Sequence, residues 1–570
     1  MKITFDAPIK MDDGVVLRAD VYRPISEGRY PVIFSYGPYG KGLAFQEGYP
    51  QQWERLVREH PDVLEGSTNK YQSWEVADPE RWVPNGYACV RVDSRGAGRS
   101  PGYIVPYSKR ESLDIYACIE WAASQEWCNG RVGMLGISYF AINQWQAAAL
   151  RPPHLAAMIP WEGASDPYRD MARHGGILST FRSNWLRKQV MTVQHGLGTR
   201  GRTNKNSGEL VAGPETLSDE ELARNRSNPG EDYIAHELDD EYYAERRPDL
   251  SKITIPILSC ANWGGQGLHL RGNVEGFLGA ASKQKWLEFH GREHWTEFYT
   301  SYGLDLERRF FDHFLKGVDN GWEKQPKVIL NVRTVNGFRK RLESEWPLAR
   351  TRWTNFYLDP SSKTLSETAP RGESAIEYET MKSEGVTFFT SPMEKDTEIT
   401  GPSSLKLYVS SSTRDADIFL VLRVFDRAGE EVVFQGALDA HTPIGQGWLR
   451  ASHRKLDPER TKPYRPYHTH DVIERLVPNE IYGMDVEIWP TCIVVPSGYR
   501  VALTVRGKDY EYSGKTERIS TFANEFRGCG PFLHNEVRDR PPELFDGRVK
   551  IYGGGSNNQS RLLLPIIPTE

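Results

Sequence analysis

The 570-residue chain is poor in cysteine. Cys89, Cys118, Cys128, Cys260, Cys492 and Cys529 lie far apart, and none stands in a C-x-x-C pair. That spacing argues against a zinc module, and no metal site is expected. Cys89 and Cys260 fall in apolar, strand-like runs, where a thiol serves as a small core side chain. Long apolar runs are missing too. No window approaches the roughly 20 residues of a membrane span. The opening MKITFDAPIKMDDGVVLRAD has no apolar segment of the length a signal peptide needs. A reduced, cytoplasmic protein is the expectation. The chain also lacks an excess of one charge: 71 basic residues face 76 acidic ones, with no long basic run, so no nucleic-acid or membrane partner is expected. Internal repeats and low-complexity segments are absent.

What the chain has is length and pattern. Its 570 residues exceed one core and imply two or three domains. The first third alternates apolar runs (VVLRADVYRP, YPVIFSYGPYG, GYACVRVDSRG) with helical spacing, as in SLDIYACIEWAASQEW. VGMLGIS, LAAMIPWEG, ITIPILSCANW and KWLEFHG continue the strand series. Such alternation predicts a mostly parallel sheet covered on both faces, with ligands at the carboxyl ends of its strands. Two stretches interrupt it: polar, partly helical residues 41–80, and residues 164–250, read as a helical cap insertion. From about residue 326 the pattern changes to short alternating runs (KVILNVRTV, SLKLYVSSS, DIFLVLRVFD) split by turn residues. The predicted fold class is therefore α/β: an α/β domain over 1–163 and 251–325, the cap over 164–250, and a C-terminal β-sandwich of jelly-roll type over 326–570.

Chemistry concentrates at RVGMLGISYFAINQWQAAAL, residues 131–150, where a buried strand meets an apolar helix with only Ser138 at the bend. A serine hydroxyl is a poor nucleophile until a base takes its proton and hydrogen-bond donors receive the oxyanion. A tight strand-to-helix turn raises the side chain above the sheet and aims helix N-terminal amides at the same point. Gly136 leaves room for it, but Phe140 replaces the second glycine of G-x-S-x-G. A helix N-cap serine without chemistry is the competing reading.

With DSRGAGRSPG and YPVIFSYGPYGKG upstream, this segment resembles the cocaine esterase and X-Pro dipeptidyl-peptidase family of α/β-hydrolase serine hydrolases. The resemblance extends over most of the chain, including DGVVLRADVYRP, LKLYVSSSTRDADIFLVLRVFD and VPSGYRVALTVRG. It implies Ser138 as nucleophile, with an oxyanion hole made of the Tyr39 hydroxyl and the Tyr139 backbone amide. Ala141 stands where the family usually has glycine. His294, after Gly291 in WLEFHGREHW, is the implied base; His290 in the strand is expected to pack or cap. The family's aspartate position in ANWGGQG holds Gly265 instead. The strand after the elbow helix ends in MIPWEGASDPYRD, and an acid at its carboxyl end can reach the same imidazole. Glu162 is therefore the expected triad acid, with Asp166 the runner-up; pairing of Glu162 with an arginine such as Arg169 is the alternative.

The function implied is hydrolysis of a carboxylic ester or amide through an acyl-enzyme, with no metal or organic cofactor. A small-molecule ester or amide is the expected partner, and a homo-oligomer is left open. Two alternatives stand beside it: an X-Pro or amino-acid-specific aminopeptidase or acylase, whose substrate ammonium HELDDEYY could receive, and an impaired hydrolase scaffold acting as a binding protein. Asp415 and Asp417, and His468, His470 and Asp471, are read as structural. GAGRS lacks the Lys-Ser/Thr ending of a phosphate loop.

Overall fold

Runs that tolerate burial on both faces become the strands of a parallel sheet. The computed structural model describes residues 1–515, 519 and 528–568. Its first strands are β1 (Lys2–Lys10), β2 (Val16–Arg23), β3 (Tyr30–Gly37), β4 (Ala88–Asp93) and β5 (Cys128–Ile137). Then come β6 (Leu155–Trp161), β7 (Ile257–Asn262), β8 (Lys285–His290) and β9 (Val328–Thr334). They lie in the order β1-β2-β4-β3-β5-β6-β7-β8-β9. Only the β1–β2 and β2–β4 pairs in this series are antiparallel. The carboxyl ends of β3 and β5–β8 therefore point to one edge of the sheet.

Side chains alternate across the strands, and two helical layers use the two faces. Helices α1 (Lys109–Ala123) and α2 (Tyr139–Ala149) bury Ile115, Cys118, Ile119 and Trp145 against Phe34, Val90, Met134 and Met158. The α1 apolar stripe follows a spacing of three and four, and Ser108 caps its first turn by accepting from the Glu111 amide. Two more helices are α3 (Leu270–Gly279) and α4 (Ser301–Lys316). On the opposite face, α4 sets Leu306, Phe310 and Phe311 against Ile33, Leu135 and Ile159. Gly317, at φ 72°, ends α4 in the left-handed conformation that glycine adopts without strain.

Between β3 and β4 the chain detours through the helix Pro50–Glu59 and returns beside the sheet edge. Between β6 and β7 it forms short helices, among them Phe181–Trp185, Asp219–Arg224 and Pro229–Ala235. Beyond β9 pairing becomes antiparallel in most places. Thr397–Ser411 pairs with Tyr482–Val495 and Arg561–Ile567, and Asp417–Phe425 with Gly445–Arg450 and Arg500–Arg506. This C-terminal region has its own core, including Leu405, Leu407, Ile418, Leu420, Val486 and Leu503. A further cluster containing Trp263, Phe289, Trp448 and Trp489 joins it to the parallel sheet. Among the described residues, no helix is long and apolar enough to cross a membrane.

Candidate active site

Strand β5 ends at Ile137 and α2 begins at Tyr139, so Ser138 alone turns the chain. It does so at φ 57° and ψ −111°, outside the regions an L-residue prefers. Such strain costs on the order of 1–3 kcal/mol and persists where surrounding structure imposes it. Two sets of backbone bonds impose it here. The Ser138 amide donates to the carbonyls of Trp161 (3.1 Å) and Glu162 (3.2 Å), and the Ile137 amide to that of Glu75 (3.0 Å). A Cβ on Gly136 would lie 2.4 Å from the Phe140 Cβ, so only glycine fits there. Phe140 is tolerated at the second glycine position because Gly37 faces it: a Cβ there would meet its ring at 2.5 Å. Ala141 fits in the same way, against Gly163, whose missing Cβ would stand 3.1 Å from the Ala141 methyl. The Ser138 side chain makes no capping bond, which removes the N-cap reading. Tyr139 is the first residue of α2, and its amide has no intrahelical acceptor.

The strand ends on either side supply an alternating chain of carboxylates and imidazoles. His294, in the loop after β8, has its Nδ1 at 2.6 Å from Glu162 Oε2. The other oxygen, Oε1, is 2.9 Å from His290 Nε2, and His290 Nδ1 is 2.7 Å from Glu288 Oε2. At the opposite end, His294 Nε2 is 3.0 Å from Glu75 Oε1. The order is Glu288, His290, Glu162, His294, Glu75. Asn262, at the end of β7, donates to Glu162 Oε1 (3.1 Å) and to the Arg292 carbonyl (2.9 Å), tying acid and loop together. The His294 amide donates to the Ala437 carbonyl at 2.9 Å, so the C-terminal region helps to hold the loop. The His269 ring stacks on that of His294 with centroids 4.9 Å apart.

The Ser138 turn and His294 thus share two neighbours, Glu162 and Glu75. The imidazole is held from two sides by Glu162 and Glu75, and the main chains of those two residues bond to Ser138 and Ile137. Ser138 is half-buried, whereas Glu162, Glu75 and His294 are buried. At Gly265, the vacated aspartate position, a Cβ would lie 3.1 Å from the Asn262 carbonyl.

The charges follow from these contacts. Burial alone would raise Glu162, but the charge of His294 and hydrogen bonds from both histidines hold its carboxyl well below the usual range. Burial alone would lower His294; the charge and hydrogen bond of Glu162, then Glu75, bring it up to about 9. His290 is likewise raised to about 10, against the effect of burial, by Glu288 and Glu162. Burial pushes the Glu75 carboxyl up, opposed by its bond to His294. The middle carboxylate therefore stays ionised between two imidazoles that favour their protonated forms.

Tyr39 lies beside the elbow, its ring edge-on to Tyr139 at 6.1 Å and Phe140 at 5.7 Å. Its hydroxyl accepts from Trp185 Nε1 at 2.9 Å. Burial keeps the phenol protonated, and with the indole on an oxygen lone pair its O–H is left to donate elsewhere.

Other candidates go elsewhere. Asp166 is bound by Arg169 (2.9 Å) and Arg247 (3.4 Å), away from the imidazole. Arg169 therefore pairs with Asp166 rather than Glu162. In the acidic stretch 236–243, Asp239 is taken by Arg169 and Arg247 and Asp240 by His236. Asp417 accepts from Arg450 and Arg540, and Asp415 from the Ser452 hydroxyl. His470 pairs with His453 at 3.1 Å. Among the described residues, no group of three or more His, Cys, Asp and Glu is arranged to hold a metal.

Neither Glu75 nor Glu288 is among the residues the sequence points to, and His290 is expected from it to pack or cap. His290 instead bridges two buried carboxylates. The signal was available in WLEFH: Glu288 and His290 stand two apart on a buried strand and so share a face. Glu75 offered none, because it arrives from an irregular loop.

Comparison with known proteins places the chain in a family. The model of the X-Pro dipeptidyl-peptidase (S15) family matches residues 13–296. That of the X-Pro dipeptidyl-peptidase C-terminal non-catalytic domain matches residues 320–548. The crystal structure of a CocE/NonD family hydrolase from Staphylococcus aureus has a TM-score of 0.84 and 32% identity, covering 99% of this chain and 94% of that one. Cocaine esterase from a Rhodococcus species is 28% identical over 484 residues, 72% of this chain and 78% of its own. An aminopeptidase from a Thaumarchaeota archaeon shares the fold, with a TM-score of 0.67, 15% identity, and coverage of 99% of this chain and 97% of that one.

An α/β-hydrolase-type N-terminal region and relatives of this kind define a serine hydrolase, acting on ester or amide bonds. Within that class, the chain belongs to the cocaine esterase and X-Pro dipeptidyl-peptidase family.

Proposed function

We propose that Ser138, His294 and Glu162 form the catalytic triad of this hydrolase, with Tyr39 and the Tyr139 amide as its oxyanion hole. The observation that carries the reading is the 2.6 Å contact between Glu162 Oε2 and His294 Nδ1, which supplies the acid that Gly265 does not. Ser138 Oγ attacks the acyl carbon while His294 Nε2 takes its proton. The Tyr39 hydroxyl and the Tyr139 N–H receive the charge that develops on the carbonyl oxygen. His294 then gives the proton to the leaving group, the acyl-enzyme remains, and water activated by the same nitrogen releases the acid. Glu162 fixes the Nδ1–H tautomer and balances the imidazolium. Its own charge is anchored by His290, which Glu288 holds from the other side.

The substrate is a small-molecule carboxylic ester or amide. In the acidic cap stretch Asp239 is engaged by arginines and Asp240 by His236, which weighs against ammonium recognition by those two. The catalytic domain spans 1–163 and 251–325, the cap 164–250, and a β-sandwich of jelly-roll type 326–570, part of which lies outside the described residues. Six unpaired, buried cysteines fit a reducing, cytoplasmic setting.

Labelling with a fluorophosphonate tests the triad. One equivalent bound per chain, mapped to Ser138, is the expected result; a folded protein that takes no label overturns it. The oxyanion hole has its own test. Tyr39→Phe removes only a hydroxyl and should lower kcat by about 10²–10³ while KM moves little, as for loss of one oxyanion donor. A change confined to KM would remove Tyr39 from that role.

A further inference from the structure

The bond from His294 Nε2 goes to Glu75, at 3.0 Å. An imidazole nitrogen has one in-plane position, either an N–H or a lone pair. The bond to Glu75 and a bond to Ser138 therefore exclude each other. We infer that Glu75 is a positioning residue for the catalytic base: it holds Nε2 in the resting enzyme and must release it to Ser138 at each turnover. The inference rests on the triad proposed above.

Three features of Glu75 fit a latch better than a packing role. Its backbone is built into the elbow. It adopts φ 64°, uncommon for a non-glycine residue, while its carbonyl accepts from Ile137, the residue before the serine. Its side chain is anchored at one oxygen only. Oε1 meets His294, whereas Oε2 is buried without a well-formed hydrogen bond, the unpartnered indole N–H of Trp74 being the other donor that bears on the carboxyl. An orphaned buried carboxylate oxygen costs free energy, so the geometry favours a carboxyl that can turn. Lastly, among the described residues that bear on its charge, His294 is the one cation. His294 bonds it, and Glu162 adds a like charge; Tyr39, Tyr49 and Tyr299 also lie within its field, all phenols kept neutral by burial. Beyond His294 stacks His269, which burial lowers to about 3 and keeps uncharged.

The proton count is simple. In the resting pair, one proton lies between Glu75 Oε1 and His294 Nε2. Before attack the pair gives that proton to solvent, and the carboxylate turns away from Nε2. Nε2 is left with a lone pair and accepts the Ser138 Oγ proton as the Oγ–acyl bond forms. Because one proton must leave the pair, the base is harder to free as pH falls.

The experiment is the pH dependence of kcat/KM with a neutral p-nitrophenyl ester. It is run on the parent and on Glu75→Gln, with Glu75→Ala as a second variant and melting curves for all three. Expected for the parent is an acid limb above the ordinary imidazole range of about 6.5. Glu75→Gln should move it down by about one unit or more, a roughly tenfold gain in the fraction of free base below the limb. A merely structural role would lower the plateau or the melting temperature without moving the limb. An unmoved limb in folded Glu75→Gln or Glu75→Ala overturns the inference. So does a parent limb at or below about 6.5, which needs no variant to fold. Failure of the triad itself would look different: fluorophosphonate would not label Ser138, whatever the limb does.

Discussion

Ser138→Ala is expected to fold like the parent and to lose about 10⁶ in kcat toward an ester substrate, the loss typical of removing a hydrolase nucleophile. Two observations separate this result from a structural effect. The Ser138 side chain caps nothing, so alanine removes no helix-stabilising bond. The left-handed backbone at this residue is imposed by amide bonds to Trp161 and Glu162, which the substitution leaves in place. A serine acting as an N-cap would give the reverse pattern, a stability loss of about 1 kcal/mol with the rate intact. The measurements are kcat and the melting temperature of the same preparation. Residual turnover of about 10³–10⁴ over water is compatible with the mechanism, since the oxyanion hole and substrate binding remain. Turnover within about tenfold of the parent, in folded protein, would dismiss Ser138 as nucleophile.

The readable parts of this chain are those where one physical rule acts along the sequence. Strands β3 to β8 were legible because a parallel sheet buries both faces and leaves continuous apolar runs. The bend at Ser138 was legible because an apolar strand met an apolar helix with no linker. Glu162 became a candidate through the family resemblance, which puts an aspartate where this chain has Gly265, and because the next carboxyl end along the sheet carries a glutamate. The compensations around the elbow were not legible. Phe140 needs Gly37 and Ala141 needs Gly163, and each pair packs α2 against the end of a strand, a contact that local sequence does not reveal. Glu75 lies 219 residues from His294, in a detour that reads only as polar and partly helical. Only tertiary structure brings it to Nε2.

Glu162→Gln should reduce kcat by about 10⁴, the size seen when a triad acid is replaced by its amide. The reason lies in both neighbours. In the parent, Oε2 accepts from Nδ1 of His294 and Oε1 from Nε2 of His290, so both oxygens must be acceptors. A glutamine offers one oxygen and one NH₂. Whichever way it turns, one imidazole N–H faces a donor, and the buried His290–Glu288 pair loses its counter-charge. His294 then loses the partner that holds it near 9, so the imidazolium formed during serine attack is no longer stabilised. The sign of the accompanying pH change follows. A base whose folded pKa falls is freed at lower pH, so the acid limb should shift downward even as the plateau drops. Glu75→Gln should share that shift while sparing the plateau, which distinguishes the two carboxylates. Asp166→Asn is the control. Asp166 is bound to Arg169 and Arg247 rather than to the imidazole, and kcat should stay within a few-fold. If Asp166→Asn lost the activity and Glu162→Gln kept it, the acid would have been assigned to the wrong residue.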